Sequence, residues 1–223
     1  MKLYMHPGAC SLSPHIVCRE LGLSIELIEV DRQTHRTSSG ADFFGINGTG
    51  YVPVLELDET TSLTEGPAIV QYLADLKPHA TLLPKAGTVQ RARVQSWLNF
   101  ITSELHKPMV MLFQPPYAQA KNALFELVQK RLDWLATQIA GPYLMGETFT
   151  VADPYLFVVL NWSPWLEIDL GRWPALQSFV ARVGGRPKVQ EALAAEGLAP
   201  FGERQIFYAP PAMVDATRKA ARQ

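Results

Sequence analysis

Apolar positions along the chain change their period several times, and each change marks a new element. The short run from Lys2 to Met5 fits a strand that stops at Pro7-Gly8. Residues 11 to 22 then carry Ile16, Val17 and Leu21 at helical spacing, with Gly22 placed to end the helix. Ile25 to Val30 reads as a second strand. A polar stretch from Asp31 to Gly40 leads into a short helix over 41–46 and the turn cluster Asn47-Gly48-Thr49-Gly50. Val52-Pro53 follows at once. Val54 to Leu57 and Ser62-Leu63 form two short strands around Asp58-Glu59-Thr60, and Glu65 to Leu76 is an apolar-periodic helix ending near Pro78.

Beyond that point alternation disappears and the pattern is almost wholly helical. Residues 78–87, with Pro78, Pro84 and Gly87, read as a linker. Thr88 to about Pro115 is one long helix whose buried stripe is Val94, Trp97, Leu98, Ile101 and Leu105. Asn99, Ser103, His106 and Lys107 share another face, and Pro108 should bend the helix near His106. Further helices are predicted over 119–140, 150–166, 174–184 and 187–196. Thr150-Val151-Ala152-Asp153 has the form of a capping box, with Phe149 before it as a staple. The predicted architecture is an α/β domain over 1–77, a linker over 78–87, an all-α domain over 88–198 and a C-terminal extension over 199–223. Strand, helix, strand, helix, two strands, helix is the order of a thioredoxin-like domain. In that fold a cis-proline precedes the third strand, the position that Pro53 holds.

Composition removes several classes of function. The chain has 223 residues, 48% apolar and 18% charged, which fits a globular protein with room for two packed cores. Its 20 basic and 21 acidic residues leave no excess positive charge for nucleic acid or an anionic membrane surface. No basic start leads into a long apolar stretch, so neither a secretory signal nor a spanning helix is expected, and the cytoplasm is the default location. Two cysteines, Cys10 and Cys18, about two helical turns apart, do not make a disulfide scaffold, and Cys18 reads as buried packing. No metal is expected.

Candidate chemistry concentrates in MKLYMHPGACSLSPH, residues 1–15. Ser11 is a favoured helix cap, and Cys10 stands at the positive end of the helix, where thiolate is favoured over thiol. Ser13 occupies the place of the second cysteine of a thioredoxin-type motif. A lone thiol pairs with an external thiol or orients one.

Taken in order, PGACSLSPH at 7–15, Val52-Pro53, TEGPAIVQYLAD at 64–75, WLNFITSELHK at 97–107 and FTVADPYLFVVL at 149–160 resemble a glutathione transferase of the bacterial beta, or cysteine-type, class. The resemblance covers roughly residues 1 to 198. It implies glutathione as co-substrate, with its sulfur beside Cys10 and Ser11. It implies that the Val52 backbone beside Pro53 holds the cysteinyl part, and that Glu65 and Gly66 meet the γ-glutamyl end. A homodimer is implied as well. Asn99 and Ser103 are candidates for contacts across its interface, and His106 and Lys107 for contacts near the sulfur or glycyl end. His106 is then either a proton acceptor or a stabiliser of thiolate.

Several positions depart from the family. Met5-His6 replaces an aromatic and a small polar residue, and His6 is a candidate to lower the thiol's pKa or take a substrate proton. His35 stands where a lysine commonly meets the glycyl carboxylate, which predicts weaker and more pH-dependent glutathione binding. Asn161 replaces a frequent arginine. Phe207 and Tyr208 of the extension, near Phe201, Ile206 and Pro210-Pro211 and before the basic Arg218, Lys219 and Arg222, either cover the cleft or belong to a surface strap or a disordered tail. His15 and His79 read as structural or exposed. The second substrate is expected in a pocket of His6, Pro7, Phe113, Trp162 and Trp165. The expected activity is transfer of glutathione sulfur to a small hydrophobic electrophile. The alternatives are thiol transfer, peroxide reduction or isomerisation through a Cys10 mixed disulfide, and a binding protein for hydrophobic compounds.

Overall fold

Leu3, Tyr4 and Met5 are all buried, because β1 (Lys2–Met5) is an inner strand with a neighbour on each side. In the computed structural model, which describes residues 1–78 and 81–201, β1 pairs in parallel with β2 (Glu26–Glu29) and antiparallel with β3 (Val54–Glu56). β4 (Ser62–Thr64) closes the order β2-β1-β3-β4. Tyr4 faces Val54, and Leu3 faces Leu55. The Val52-Pro53 peptide before β3 is cis, as expected. His79, Ile206, Phe207, Tyr208, Pro210, Pro211, Arg218, Lys219 and Arg222 lie outside the described residues.

α1 (Leu12–Glu20) is shorter than predicted but ends as its sequence requires. Gly22 takes φ +62°, and the Leu23 amide returns to the Cys18 carbonyl at 2.9 Å. The helix expected over 41–46 is a single 3-10 turn, Phe43–Gly45, started by the Asp42 carboxylate accepting the Phe44 amide at 3.0 Å and cut short by the Asn47-Gly48 turn. α2 (Gly66–Asp75) completes the α/β domain.

In the helical domain the long helix is α3 (Val89–Phe100), a π-helical segment (Ile101–His106) and α4 (Lys107–Leu112). Pro108 has no amide for the Glu104 carbonyl, and the irregularity it was expected to cause is a widened turn just before it. α5 (Lys121–Gln138) follows a 3-10 turn that begins at Pro115. The helix expected to reach 166 stops early: α6 is Ala152–Leu160, because Pro164 cannot donate to the Leu160 carbonyl, and Ser163–Leu166 is a 3-10 turn. α7 (Pro174–Gly184) and α8 (Pro187–Ala195) end the described fold. The capping acid works as expected, Asp153 accepting the Thr150 amide at 2.7 Å and also the Leu144 amide at 2.8 Å. Among the described residues no helix is long and apolar enough to cross a membrane.

α1 is the wedge between the two domains. It packs against α2 on one side and against α6 and α8 on the other, so Leu12 to Cys18 are buried without a break. Two bidentate ion pairs brace the junction, Arg91 with Asp75 at 2.8–2.9 Å and Arg186 with Glu20 at 2.7–2.9 Å. Whatever precedes α1 is therefore presented at the domain boundary.

Candidate active site

The turn from β1 to α1 is held from both domains. Gly8 takes φ +71°, its amide donates to Glu196 Oε2 at 2.9 Å, and its carbonyl accepts from Trp162 Nε1 at 3.1 Å. Ser11 does not cap the helix. Its hydroxyl accepts the His6 amide and donates to the His6 carbonyl, both at 3.2 Å, and it is fully buried. Ser11 is thus a clasp for the loop. His6 turns its Nδ1 to the Val30 carbonyl at 3.2 Å, and burial lowers its pKa. The cation whose field reaches the Cys10 thiol is Arg32, on the loop after β2.

Cys10 Sγ donates to the Val52 carbonyl at 3.3 Å. Its ionisation runs against expectation. Burial pushes the thiol up to about 12, and the amides of Cys10 and Ser11 together with Arg32 offset only part of that. The helix terminus acts in the predicted direction, but desolvation is the larger effect. Cys18, fully buried, is pushed up to about 12 for the same reason.

Across the loop, Gly66 opens α2 against the ring of cis-Pro53, 3.8 Å from where a Cβ would stand. Glu65, just before it, is exposed, takes φ +65° and makes no side-chain cap bond. A non-glycine residue in that conformation is backbone strain retained beside the thiol, whose ionisation Glu65 opposes. His35 also has positive φ, at +51°. Its ring lies 4.5 Å from that of Phe44, and its Nδ1 is buried with no hydrogen-bond partner.

The helical domain contributes the opposite wall. His106 ends the π segment with Nδ1 2.7 Å from the Tyr155 hydroxyl and its ring 5.1 Å from Trp162. Burial first, then Lys107, lowers its pKa to about 4, so the ring is neutral near pH 7. Trp162 is 3% exposed and packs on Phe113 at 6.4 Å, so it is a wall and a bolt to Gly8 more than a free pocket surface. Pro7, Phe113 and Trp165 are half-buried, and Trp165 Nε1 is buried with no hydrogen-bond partner. Asn161 bonds back to the Phe157 carbonyl at 2.8 Å. Asn99, Ser103 and Lys107 lie on the exposed face, the Ser103 hydroxyl donating to the Asn99 carbonyl at 3.1 Å.

Sequence reasoning passed over three residues. Tyr155 carries the one polar side-chain group besides Asp153 in an otherwise apolar α6, which was a readable signal. Arg32 gave none beyond its charge. Glu196 joins Gly8 to His15 Nδ1, 2.8 Å from its other oxygen, across more than 180 positions.

Two family models match this chain, the glutathione S-transferase N-terminal domain over residues 8–76 and the C-terminal domain over 100–187. The chain belongs to the glutathione S-transferase family. It is 41% identical over 200 residues to glutathione S-transferase GstA of Escherichia coli O157:H7, a match covering 89% of this chain and all of that one. Glutathione S-transferase GST-4.5 of Xanthomonas campestris pv. campestris is 37% identical, with the same coverage of both chains. Among solved structures, a ternary complex of BphK, a bacterial glutathione S-transferase, superposes with TM-score 0.87 at 54% identity and covers 89% of this chain and all of that one. The beta-class enzyme of Sphingomonas chungbukensis gives 0.85 at 44% identity over the same shares. As a glutathione S-transferase, the chain has the mixed four-stranded sheet and the helical second domain of its relatives.

Proposed function

We propose that the protein transfers the sulfur of glutathione to a small hydrophobic electrophile, with Cys10 as a protonated donor to that sulfur. The observation that carries this reading is the Cys10 thiol, bonded to the Val52 carbonyl and pushed up to about 12. A thiol that keeps its proton at neutral pH is a weak nucleophile and a hydrogen-bond donor. Glutathione lies along Val52 and Pro53, with Glu65 and the first amides of α2 at its γ-glutamyl end and His35 at its glycyl end. Lys107 adds positive charge near the sulfur. The glutathione thiol gives up its proton to water on binding. The thiolate, facing the amides of Cys10 and Ser11 and the Cys10 S–H, which turns to it from the Val52 carbonyl, attacks the electrophile; the new carbon–sulfur bond forms with departure of a leaving group, or by addition with the resulting carbanion taking a proton from water. Pro7, Phe113 and Trp165, with His6 and Trp162 at the margins, line the electrophile's side of the cleft.

A homodimer in which Asn99 and Ser103 reach the neighbouring site accords with their exposure and with the exposed Tyr51, 65% accessible. Sedimentation at low protein concentration tests it, and a monomer that binds glutathione overturns it.

Replacing Cys10 by alanine separates donor from nucleophile. The expected result is conjugation of an activated aryl halide that is reduced but retained. Complete loss of conjugation, together with an adduct that oxidised glutathione forms on wild-type Cys10 with release of one reduced glutathione, would instead establish mixed-disulfide chemistry.

A further inference from the structure

Tyr155 is 3% exposed and belongs to no part of the site described so far as binding or reacting. Its hydroxyl has two neighbours, His106 Nδ1 at 2.7 Å and Thr102 Oγ1 at 3.3 Å. Thr102 already donates to the Leu98 carbonyl at 2.8 Å, in the same π-distorted stretch of helix. Its oxygen is therefore an acceptor towards Tyr155, at a distance beyond the usual range for a hydroxyl pair. The Tyr155 proton has a better place. An imidazole nitrogen is a stronger acceptor than a threonine hydroxyl, and 2.7 Å suits O–H donation more closely than N–H donation. A neutral ring whose Nδ1 accepts from Tyr155 must carry its one proton on Nε2.

We propose that Tyr155 is a positioning residue that holds His106 as the Nε2–H tautomer, making Nε2 a neutral donor to the glutathione sulfur. The inference rests on the glutathione reading for the identity of the sulfur, but not for the tautomer. Nδ1 is occupied and the residue is only half-buried, so Nε2 is the ring nitrogen left to meet a ligand. A neutral donor stabilises a thiolate without first having to be protonated, in a site where a charged ring is disfavoured. The charged or titratable groups around the pair are Lys107 beside His106, and Cys10 and Glu65, whose fields reach Tyr155. Tyr155 acts on the sulfur only through His106.

The test is nitrogen-15 NMR of the full-length protein, with the His106 ring assigned by its disappearance in His106→Asn. The expected spectrum at pH 7 has a protonated-type Nε2 and an unprotonated-type Nδ1. Thr102→Val should leave it unchanged, since Thr102 takes no proton from Tyr155, whereas Tyr155→Phe should give a mixture of tautomers. In kinetics, Tyr155→Phe should lower kcat/KM roughly tenfold, the lower end for loss of a partner that fixes a histidine's tautomer. It should also raise the apparent pKa of bound glutathione, with little change in KM. A protonated Nδ1 in the wild type, or inversion of the tautomer by Thr102→Val, overturns the proposal without reference to glutathione. The expected tautomer in a protein that does not bind glutathione would instead refute the functional reading. A Tyr155→Phe variant that folds and keeps the wild-type pH profile overturns the positioning role.

Discussion

The Gly8 amide donates to Glu196 at 2.9 Å, tying the loop that carries Cys10 to the residue just past the end of α8. The same carboxylate meets His15 Nδ1 at 2.8 Å, and Arg19 Nε donates to His15 Nε2 at 3.2 Å, which places the His15 proton on Nδ1. Glu196→Ala leaves two buried donors without a partner and should cost about 3 kcal/mol in denaturant unfolding. Glu196→Gln keeps one acceptor oxygen but turns its amide NH2 toward the other buried donor, so it should recover only part of that loss. Equal losses for the two variants would mean that the acceptor geometry is not what matters.

Ser11 is expected to act on the loop and not on the chemistry. Ser11→Ala removes both bonds to the His6 backbone and should lower stability by about 1–2 kcal/mol. Thermal unfolding gives that quantity. A variant as stable as wild type with turnover abolished would return Ser11 to a direct role at the sulfur.

Cys10 should resist alkylation. With its thiol pushed up to about 12, the thiolate fraction at pH 8 is on the order of one in ten thousand. Iodoacetamide should therefore modify native Cys10 far more slowly than the same cysteine in urea, the rate rising throughout the alkaline range. Rapid modification at pH 7 would show that the terminus of α1 and Arg32 outweigh burial after all.

His106 gives stability a dependence on pH. Its folded pKa of about 4 lies below the ordinary 6.5, so the unfolded chain binds the extra proton between those values and stability falls as pH drops through them. The contribution is about 3 kcal/mol when complete near pH 4. His106→Gln should flatten the pH dependence of unfolding over that window. An unchanged profile would mean that the ring is more hydrated than its burial implies.

Local pattern carried most of the fold, and the site only in part. The run into Pro7-Gly8, the Gly22 terminator and the position of Pro53 each depend on neighbouring residues, and each is found where its chemistry requires. The same holds for the irregularity before Pro108, although its form as a π segment was not foreseen. The nearness of Cys10 and Val52 was implied only by the resemblance, which set both beside the cysteinyl part of glutathione; their direct bond was not foreseen. The ionisation of Cys10 was not, since a terminus effect can be read from sequence whereas the depth of burial against it cannot. Glu196 was illegible for another reason: nothing within α8 distinguishes an acid bound for solvent from one bound for Gly8.

The most direct test of the central claim is calorimetric titration of the reduced protein with glutathione, followed by intact-mass spectrometry of the reduced protein after incubation with oxidised glutathione, whose disulfide a nucleophilic Cys10 would cleave. Saturable binding without a covalent adduct is the predicted result, with Cys10 keeping its proton and hydrogen-bonding to the bound sulfur rather than attacking a disulfide. No heat of binding at millimolar glutathione would contradict the proposed function. Binding with a glutathione adduct on Cys10 would contradict the donor role and make the cysteine a nucleophile.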